Sequence, residues 1–589
     1  NVDKFNKYNI DESSKMKLKP VKNDNDQLML LMSNKHDEIV KSSGIYRNYV
    51  LFCDLVKKAM EEDENIGVSN IYDGLEHLTC AEIKLEEEDN AQEIFERINS
   101  TGVPLSLADK IRNFVLMTDV EQDRLYEDYW LKAETLVGYD ELTSFFLDFL
   151  NLKVDGFPKE SEAYDCFKQV FYDGKYTNES MLKEILHYAE FYHAFTRGDT
   201  KYGEKVNEYL LGLRRLNQTT VYLFLYRVFD DYTADTPVLN QKELEKVLQF
   251  LLHYNIRRTM AEISSNSLRG LYKTLYNRVF NRKENKEHYY DAIVSFFKQL
   301  TSRDALVSDA DFITALKYNN LYRKNALCKY LLCAVENQGK EKVITNNLTI
   351  EHIMPQNKNI STAWQKMLGD DWQEVKDKYL HTLGNLTLTA YNTELGDRPF
   401  SEKKEMLDDV NTKMVILNTE IKLNDNWNAA SIESRASRLA DEIMKLFPII
   451  EPEEEISFAD PRYQEYTCDD PENAKYKTPN YYILQGERVN VTSYAEMLRS
   501  FIEHLYLIDS KIIEQMAKKD ECPVSWSSNV MFSYDETKTT YNYKLKDTDI
   551  YESTGFSAPH IMHIIRAMLD KYEIDRSDFV YSARVSSSK

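Results

Sequence analysis

The stretch that decides how this chain is organised reads Thr-Ile-Glu-His-Ile-Met-Pro-Gln from Thr349 to Gln356, then His-Thr-Leu-Gly-Asn-Leu-Thr-Leu-Thr from His381 to Thr389. Asn392 and the pair Lys403-Lys404 follow. Gly-Asn in the second segment is typical of a hairpin turn, and the alternation after it is typical of a β-strand. We therefore expect the two segments to pair as a hairpin that gathers a carboxylate, an imidazole and carboxamides.

These side chains are of the types that cut a phosphodiester bond. The reaction needs a base for water and a cation to offset charge on the phosphate and the leaving oxygen. His352 is the natural base near neutral pH, and Glu351 and Asn392 carry hard oxygen ligands that suit Mg²⁺. Neighbours in a strand face opposite sides, so Glu351 and His352 share a site only if the chain bends there. Asn385 could hydrogen-bond across the hairpin and fix the loop that carries His352. The pattern favours a one-metal phosphodiesterase centre, and a lone buried histidine in a hairpin is the alternative.

Two pairs of adjacent basic residues are candidates for substrate contacts. Lys403 and Lys404 open a helix after the hairpin and could contact phosphate. Arg257 and Arg258 follow an apolar helical segment and point in different directions on a helix. The arginines either contact phosphate or belong to a solvated helix face with one ion pair.

A polar elbow lies between two predicted helices near residue 100. Asn99-Ser100-Thr101-Gly102 ends the first helix, because these residues tolerate the left-handed backbone conformation. Ser106 caps the next helix, with Asp109 completing a capping box. The elbow is either a plain turn or an anion site in which Arg97, Asn99 and backbone N–H groups bind the ligand.

Composition limits the class of protein. A chain of 589 residues is too long to fold around a single hydrophobic core. Its content of 42% hydrophobic and 12% aromatic residues is typical of a globular protein. No apolar window is long enough to span a membrane. The net charge of −23 disfavours non-specific nucleic-acid binding, although a local basic groove can coexist with an acidic exterior. Seven scattered cysteines predict free thiols in a reducing cytoplasm.

The patterns along the chain predict a mainly α multidomain protein. Residues 119–340 read as a helical domain, 341–450 hold the hairpin, and the acidic run Glu451–Glu455 marks a boundary. Residues 456–589 read as an α+β module. Tyr481, Tyr482 and Tyr494 near Arg488 are either core aromatics or a platform that stacks on nucleic acid.

The hairpin residues resemble the HNH, or ββα-metal, endonuclease motif in the variant with asparagine as its last residue. The resemblance implies that His352 is the general base, that Glu351 and Asn392 hold Mg²⁺ or Mn²⁺, and that Asn385 positions the base. Glu351 departs from the aspartate common at this position. Residues Trp364 to His381 would form a helical insert, which makes His381 an additional candidate catalytic residue.

The elbow resembles part of the ParB-like NTPase domain that precedes this nuclease in GmrSD-type, modification-dependent restriction proteins. Its matching residues run from Phe95 to Asp109, and the segments Tyr254–Arg258 and Leu321–Glu336 also resemble that family. The resemblance implies that residues 1–118 are a partial ParB-like α/β domain. The family's Asp-Gly-Gln-Gln-Arg motif is absent from the sequence, and we expect it to precede Asn1. Nucleotide would then meet the elbow residues Arg97, Asn99, Ser100, Thr101 and Gly102.

The combined resemblance implies a cytoplasmic, Mg²⁺-dependent endonuclease of an anti-phage defence system. It would be regulated by NTP and would cut modified double-stranded foreign DNA. A homodimer is attractive, because one HNH centre cuts one strand. The alternatives are a regulatory protein with an inactive nuclease fold and an RNA-cleaving nuclease of abortive infection.

Overall fold

Helix dominates the computed structural model, at 61% against 7% strand, which confirms the mainly α multidomain prediction. The specific ParB-like and ββα folds, and the boundaries at 118, 340 and 450, stay predictions. Contacts divide the chain into two units, residues 1–94 and 95–589, which are described separately. The structure describes Pro20, Ile94 and residues 22–63, 65–79, 105–117, 120–300, 302–338, 348–389, 395–407, 415–458 and 463–584.

The described part of the first unit consists of helices. Their bounds are Lys22–Met32, Gly44–Glu62 and Val68–Glu76. Ser43 starts the second helix by accepting a hydrogen bond from the Tyr46 N–H.

The second unit begins with the helical region predicted from apolar periodicity, which is confirmed. Ser106 and Asp109 form the predicted capping box at its first helix. Aromatic side chains pack between the helices, and no helix in the described residues is long and apolar enough to cross a membrane. The α-helices are Leu107–Leu116, Gln122–Leu125, Leu131–Val137, Leu142–Asn151, Glu160–Asp173, Asn178–Arg197, Glu204–Arg215, Tyr222–Thr233, Gln241–Met260, Leu268–Val279, Tyr289–Lys298, Asp309–Tyr318 and Asn325–Glu336.

The arginine pair lies in the helix Gln241–Met260; its predicted ion pair is present, whereas the solvated face and the phosphate contact are wrong. Arg257 and Arg258 are each only 2% exposed, so neither meets solvent or a phosphate. Arg257 pairs with Asp309 at 2.5 Å and donates to the Phe447 carbonyl. Arg258 donates to the Arg303 carbonyl. The physical reason is that protein surrounds this end of the helix, so both directions lead into the core.

The predicted hairpin is present as two short antiparallel strands. β1 (Thr349–His352) pairs with β2 (Leu386–Thr389), with His352 opposite Leu386. The insert between the strands is helical, as predicted. The helices of this region are Thr362–Leu368 and Trp372–Tyr379 in the insert, and Phe400–Leu407, Ile416–Leu423 and Ala429–Leu446 after β2.

The last helix of this region packs against the turn that leads into β2. Arg435 donates to the carbonyls of Gly384 at 2.9 Å and Leu386 at 2.7 Å. A Cβ on Gly384 would lie 2.2 Å from the Ile432 carbonyl oxygen, so only glycine permits this approach. The helix Ala429–Leu446 thereby holds the turn in place.

The C-terminal residues form the predicted α+β module. One sheet has the order β3-β9-β4-β5 and a smaller sheet has the order β6-β8-β7. The strands are β3 (Tyr463–Thr467), β4 (Pro479–Leu484), β5 (Glu487–Asn490), β6 (Phe532–Ser533), β7 (Asn542–Lys544), β8 (Tyr551–Ser553) and β9 (Phe579–Arg584). The α-helices are Tyr494–Ile508, Ser510–Lys518 and Ala558–Lys571.

The tyrosines of this module do not form the stacking platform. Tyr482 and Tyr494 belong to the buried core of the module. Tyr481 is half-buried; its hydroxyl donates to Glu465 and the Arg488 guanidinium lies 3.6 Å from its ring centre. The core interpretation is therefore correct for Tyr482 and Tyr494, and a stacking platform of all three rings is wrong.

The C-terminal module docks on the helical region through backbone contact. Gly486, in the β4–β5 turn, has a φ of +83° and lies against the backbone of Ser267 and Gly270. Arg303 forms ion pairs with Asp575 and Asp578 across the junction. These contacts fix the module on the helix Leu268–Val279.

Candidate active site

The centre of the site is the His352 imidazole, at the end of β1. It is only 2% exposed. Its Nε2 lies 3.0 Å from His381 Nδ1, and its Nδ1 lies 2.8 Å from the Gln356 amide nitrogen. The Tyr322 ring meets it edge-on, with 4.4 Å between ring centres. The structure thus brings together His352 and His381, both predicted, with Gln356 and Tyr322, which the sequence did not single out as site residues.

His381 is held in place by the segment before the hairpin. Its carbonyl accepts the backbone N–H of Leu321 at 3.0 Å and of Tyr322 at 3.3 Å. The Tyr322 ring stacks on the His381 ring, with 9° between the planes. The only sequence signal for Tyr322 was that Leu321–Glu336 resembled the same family as the hairpin.

Both imidazoles are uncharged at neutral pH. Burial, then the neighbouring His381 and the Lys403 charge, lowers the pKa of His352 to about 3. Burial, then the Lys376 charge, also lowers the pKa of His381. A neutral imidazole carries a lone pair on one ring nitrogen, and this uncharged state is the one that a general base requires.

Glu351 forms a buried ion pair on the other side of β1. Its Oε1 lies 3.1 Å from Lys403 Nζ, which also donates to the His352 carbonyl at 2.9 Å. Burial raises the pKa of Glu351, opposed by the Lys403 charge, and burial lowers the pKa of Lys403. The prediction that Lys403 contacts phosphate is wrong, because its side chain has no solvent exposure and both its bonds are internal.

Lys404 is half-buried, and its ammonium donates to the Asn424 carbonyl at 2.6 Å. Its contact with phosphate stays a prediction.

Asn385 is fully buried and uses its whole carboxamide to hold two loops together. Its Oδ1 accepts from the Met354 N–H at 2.7 Å and from the Trp427 indole N–H at 3.0 Å. Its Nδ2 donates to the carbonyls of Met354 at 3.2 Å and Leu380 at 2.8 Å. These bonds tie the loop after His352 to the segment before β2, so the contacts of Asn385 are those of a positioning residue.

Several predicted ligands fall outside the described residues. They are the metal ligand Asn392 and the nucleotide-contact candidates Arg97, Asn99, Ser100, Thr101 and Gly102. Among the residues that are described, no group of three His, Cys, Asp or Glu side chains could hold a metal ion. Because Asn392 is outside the described residues, Glu351 is the one predicted metal ligand that the structure describes.

Comparison with known proteins places this geometry in context. Residues 2–116 match the family model described as GmrSD restriction endonuclease, N-terminal domain. Residues 306–442 match the model described as GmrSD restriction endonucleases, C-terminal domain. The second match includes the hairpin, both histidines and Tyr322. No curated protein matches the chain.

Proposed function

Because this chain belongs to the GmrSD restriction endonuclease family, we propose that it is a metal-dependent HNH endonuclease that cuts modified foreign DNA under nucleotide control. The family's restriction endonuclease domains imply a nuclease with a DNA substrate. The metal, the HNH chemistry, the nucleotide and the modification are the parts that we add.

The observation that carries the proposal is the neutral, buried His352 imidazole in the C-terminal matched segment. In the proposed reaction this imidazole takes the proton of the attacking water. His381 holds the far nitrogen of the ring and Tyr322 packs against both rings. Asn385 keeps the loop after β1 in place. The protein therefore fixes the base before substrate arrives, which removes part of the entropic cost of the reaction.

We propose that the protein coordinates Mg²⁺ only weakly. Mg²⁺ keeps several waters and often uses one or two carboxylates plus substrate phosphate oxygens, so a cluster of three protein ligands is not required. We propose that Glu351, which adjoins His352 in the sequence, supplies one ligand oxygen and that Asn392 supplies the second. A bound Mg²⁺ would supply positive charge for the phosphate and the leaving oxygen. The Lys403 ammonium already pairs with the Glu351 carboxylate, so it would compete with the metal ion for that carboxylate.

Nucleotide control and selection of modified DNA rest on the N-terminal match. Residues 2–116 include the elbow from Arg97 to Gly102, where we propose that nucleotide phosphates bind. The elbow directly precedes the capped helix Leu107–Leu116, whose N-terminus favours negative charge. A homodimer would let two centres cut both strands of one DNA.

The test is cleavage of plasmid and phage DNA by the full chain. Unmodified DNA, modified phage DNA and RNA are each incubated with Mg²⁺, with EDTA, and with or without each NTP. We expect Mg²⁺-dependent cleavage of modified DNA that increases with one NTP and is lost in His352→Ala. His288→Ala is the matched control, because His288 is exposed and lies outside both matched segments.

The outcomes separate the alternatives. Cleavage of RNA alone would favour the abortive-infection nuclease. A folded protein that cuts neither nucleic acid under any condition would favour the regulatory protein with an inactive nuclease fold. Cleavage that persists in His352→Ala would show that another residue is the base.

A further inference from the structure

The Gln356 carboxamide contacts the ring of the proposed base, His352. The Gln356 side chain is exposed, yet its amide nitrogen lies 2.8 Å from Nδ1 of the buried His352 ring. The other ring nitrogen faces His381, and Tyr322 packs against both rings. The amide therefore holds the one nitrogen that is not turned toward another ring.

A capped imidazole cannot act as a base. With the amide nitrogen donating, Nδ1 carries the lone pair and uses it on Gln356, while Nε2–H donates to His381. If the amide is turned around, its oxygen accepts from Nδ1–H, and the lone pair moves to Nε2 against His381. In both orientations no lone pair of His352 is free for water.

We infer that Gln356 is a removable cap on the catalytic base, an inference that rests on the proposed nuclease function. The amide leaves Nδ1 when a phosphodiester backbone binds, and the water that is to be deprotonated takes its place. The displaced amide is then a hydrogen-bond donor for a phosphate oxygen. Displacement costs little, because the bond is a single neutral one and holding an exposed glutamine in one rotamer costs entropy.

The size of the effect follows from the strength of that bond. A net neutral hydrogen bond keeps the capped state favoured over the open state by about three- to tenfold. A site that is open for only a fraction of the time reacts in proportion to that fraction. Removing the cap should therefore raise the reactivity of His352 by about three- to tenfold.

The first experiment measures this reactivity without nucleic acid or metal. Diethyl pyrocarbonate acylates a free imidazole nitrogen and releases ethanol and carbon dioxide, so its rate at His352, read by peptide mass spectrometry, reports the free lone pair. Gln356→Ala and Gln356→Met should both react about three- to tenfold faster than the parent protein, with the exposed His288 as internal reference. Asn359→Ala is the matched control, since Asn359 is an exposed carboxamide of the same loop and has no contact with His352. Unchanged rates in both Gln356 variants, with the fold intact by circular dichroism, would overturn the cap.

The second experiment measures hydrolysis with Mg²⁺ present. For bis(4-nitrophenyl) phosphate, which lacks most DNA contacts, kcat/KM should rise by a similar factor in Gln356→Ala, while KM for plasmid DNA should increase because a donor is lost. A tenfold fall in kcat for both substrates would instead make Gln356 a fixed positioning residue and overturn the cap. If no protein hydrolyses either substrate but acylation of His352 accelerates, the cap stands and the proposed nuclease function fails.

Discussion

The ion pair between Lys403 and Glu351 gives a prediction whose size follows from burial. Lys403 Nζ lies 3.1 Å from Glu351 Oε1 and 2.9 Å from the His352 carbonyl, and the lysine side chain has no solvent exposure. Lys403→Met keeps the side-chain length but leaves the carboxylate buried without its cation. Removing one partner of a buried pair costs about 3–5 kcal/mol. We expect the region around β1 to lose about this much stability at pH 8.

The cost should change with pH in a defined direction. Burial raises the pKa of Glu351 and the Lys403 charge opposes that rise, so the pKa should rise further in Lys403→Met. A carboxyl group whose pKa is raised by folding contributes stability below its unfolded pKa and loses it as pH rises through the folded pKa. The deficit should therefore fall to about 1–2 kcal/mol near pH 4.5, where the remaining cost is the unpaired His352 carbonyl.

Local hydrogen exchange is the suitable assay, because a chain of several domains has no single well-defined free energy of unfolding. Peptides covering residues 349–356 and 383–389 report the site, and residues 494–508 in the C-terminal module serve as the internal control. The double variant Lys403→Met/Glu351→Gln should regain most of the loss at pH 8. Equal losses of protection at both pH values after correction for intrinsic exchange, or a double variant that merely sums the two single effects, would refute the reasoning.

Two further predictions concern the base and the module junction. Burial and nearby charge lower the pKa of His352 to about 3, so its imidazole stays neutral from pH 8 to pH 5. The pH profile of kcat/KM should therefore lack the decrease near pH 6.5 that an ordinary histidine base would cause. A tenfold fall in kcat/KM per pH unit below 6.5 would contradict this. Gly486→Ala would place a Cβ 2.2 Å from the Ser267 carbonyl oxygen at a φ of +83°, so the module should detach. The glutamates of Glu451–Phe458 should then become sensitive to V8 protease, and an unchanged V8 cleavage rate would speak against this.

The hairpin and its caps were predictable because their signals are local. The β1–β2 pairing follows from alternation over a few residues, and the Ser106 capping box follows from a three-residue spacing. The strand-turn-strand of β4 and β5 was visible for the same reason. Local backbone preferences and the period of the side chains decide these features, so the distant parts of the chain do not alter them.

The fate of the charged residues was not predictable from local sequence. Arg257 is buried because Phe447, 190 positions later, supplies a carbonyl to its guanidinium. Lys403 is buried because Glu351, 52 positions earlier, supplies a carboxylate. A lysine or arginine reads as a surface residue unless its partner is known, because such groups are rarely buried unpaired. Separation in the sequence is also the reason why Tyr322 was not predicted, because it lies 27 positions before β1 although its ring contacts His352.

Because Tyr322 contacts both imidazoles, the proposed catalytic centre is built from residues of two regions, the helical region and the hairpin region. The loop that carries Tyr322 is fastened to the end of the long helix Gln241–Met260, where Lys324 and Asn319 donate to backbone carbonyls. A fragment cut at residue 341 would keep the hairpin but lose the ring that packs on both imidazoles. Grafting this centre onto another protein would thus require the chain from about residue 306. A tilt of the helix Gln241–Met260 would also move the loop that carries Tyr322. It would thereby change the packing of the Tyr322 ring on the two imidazoles.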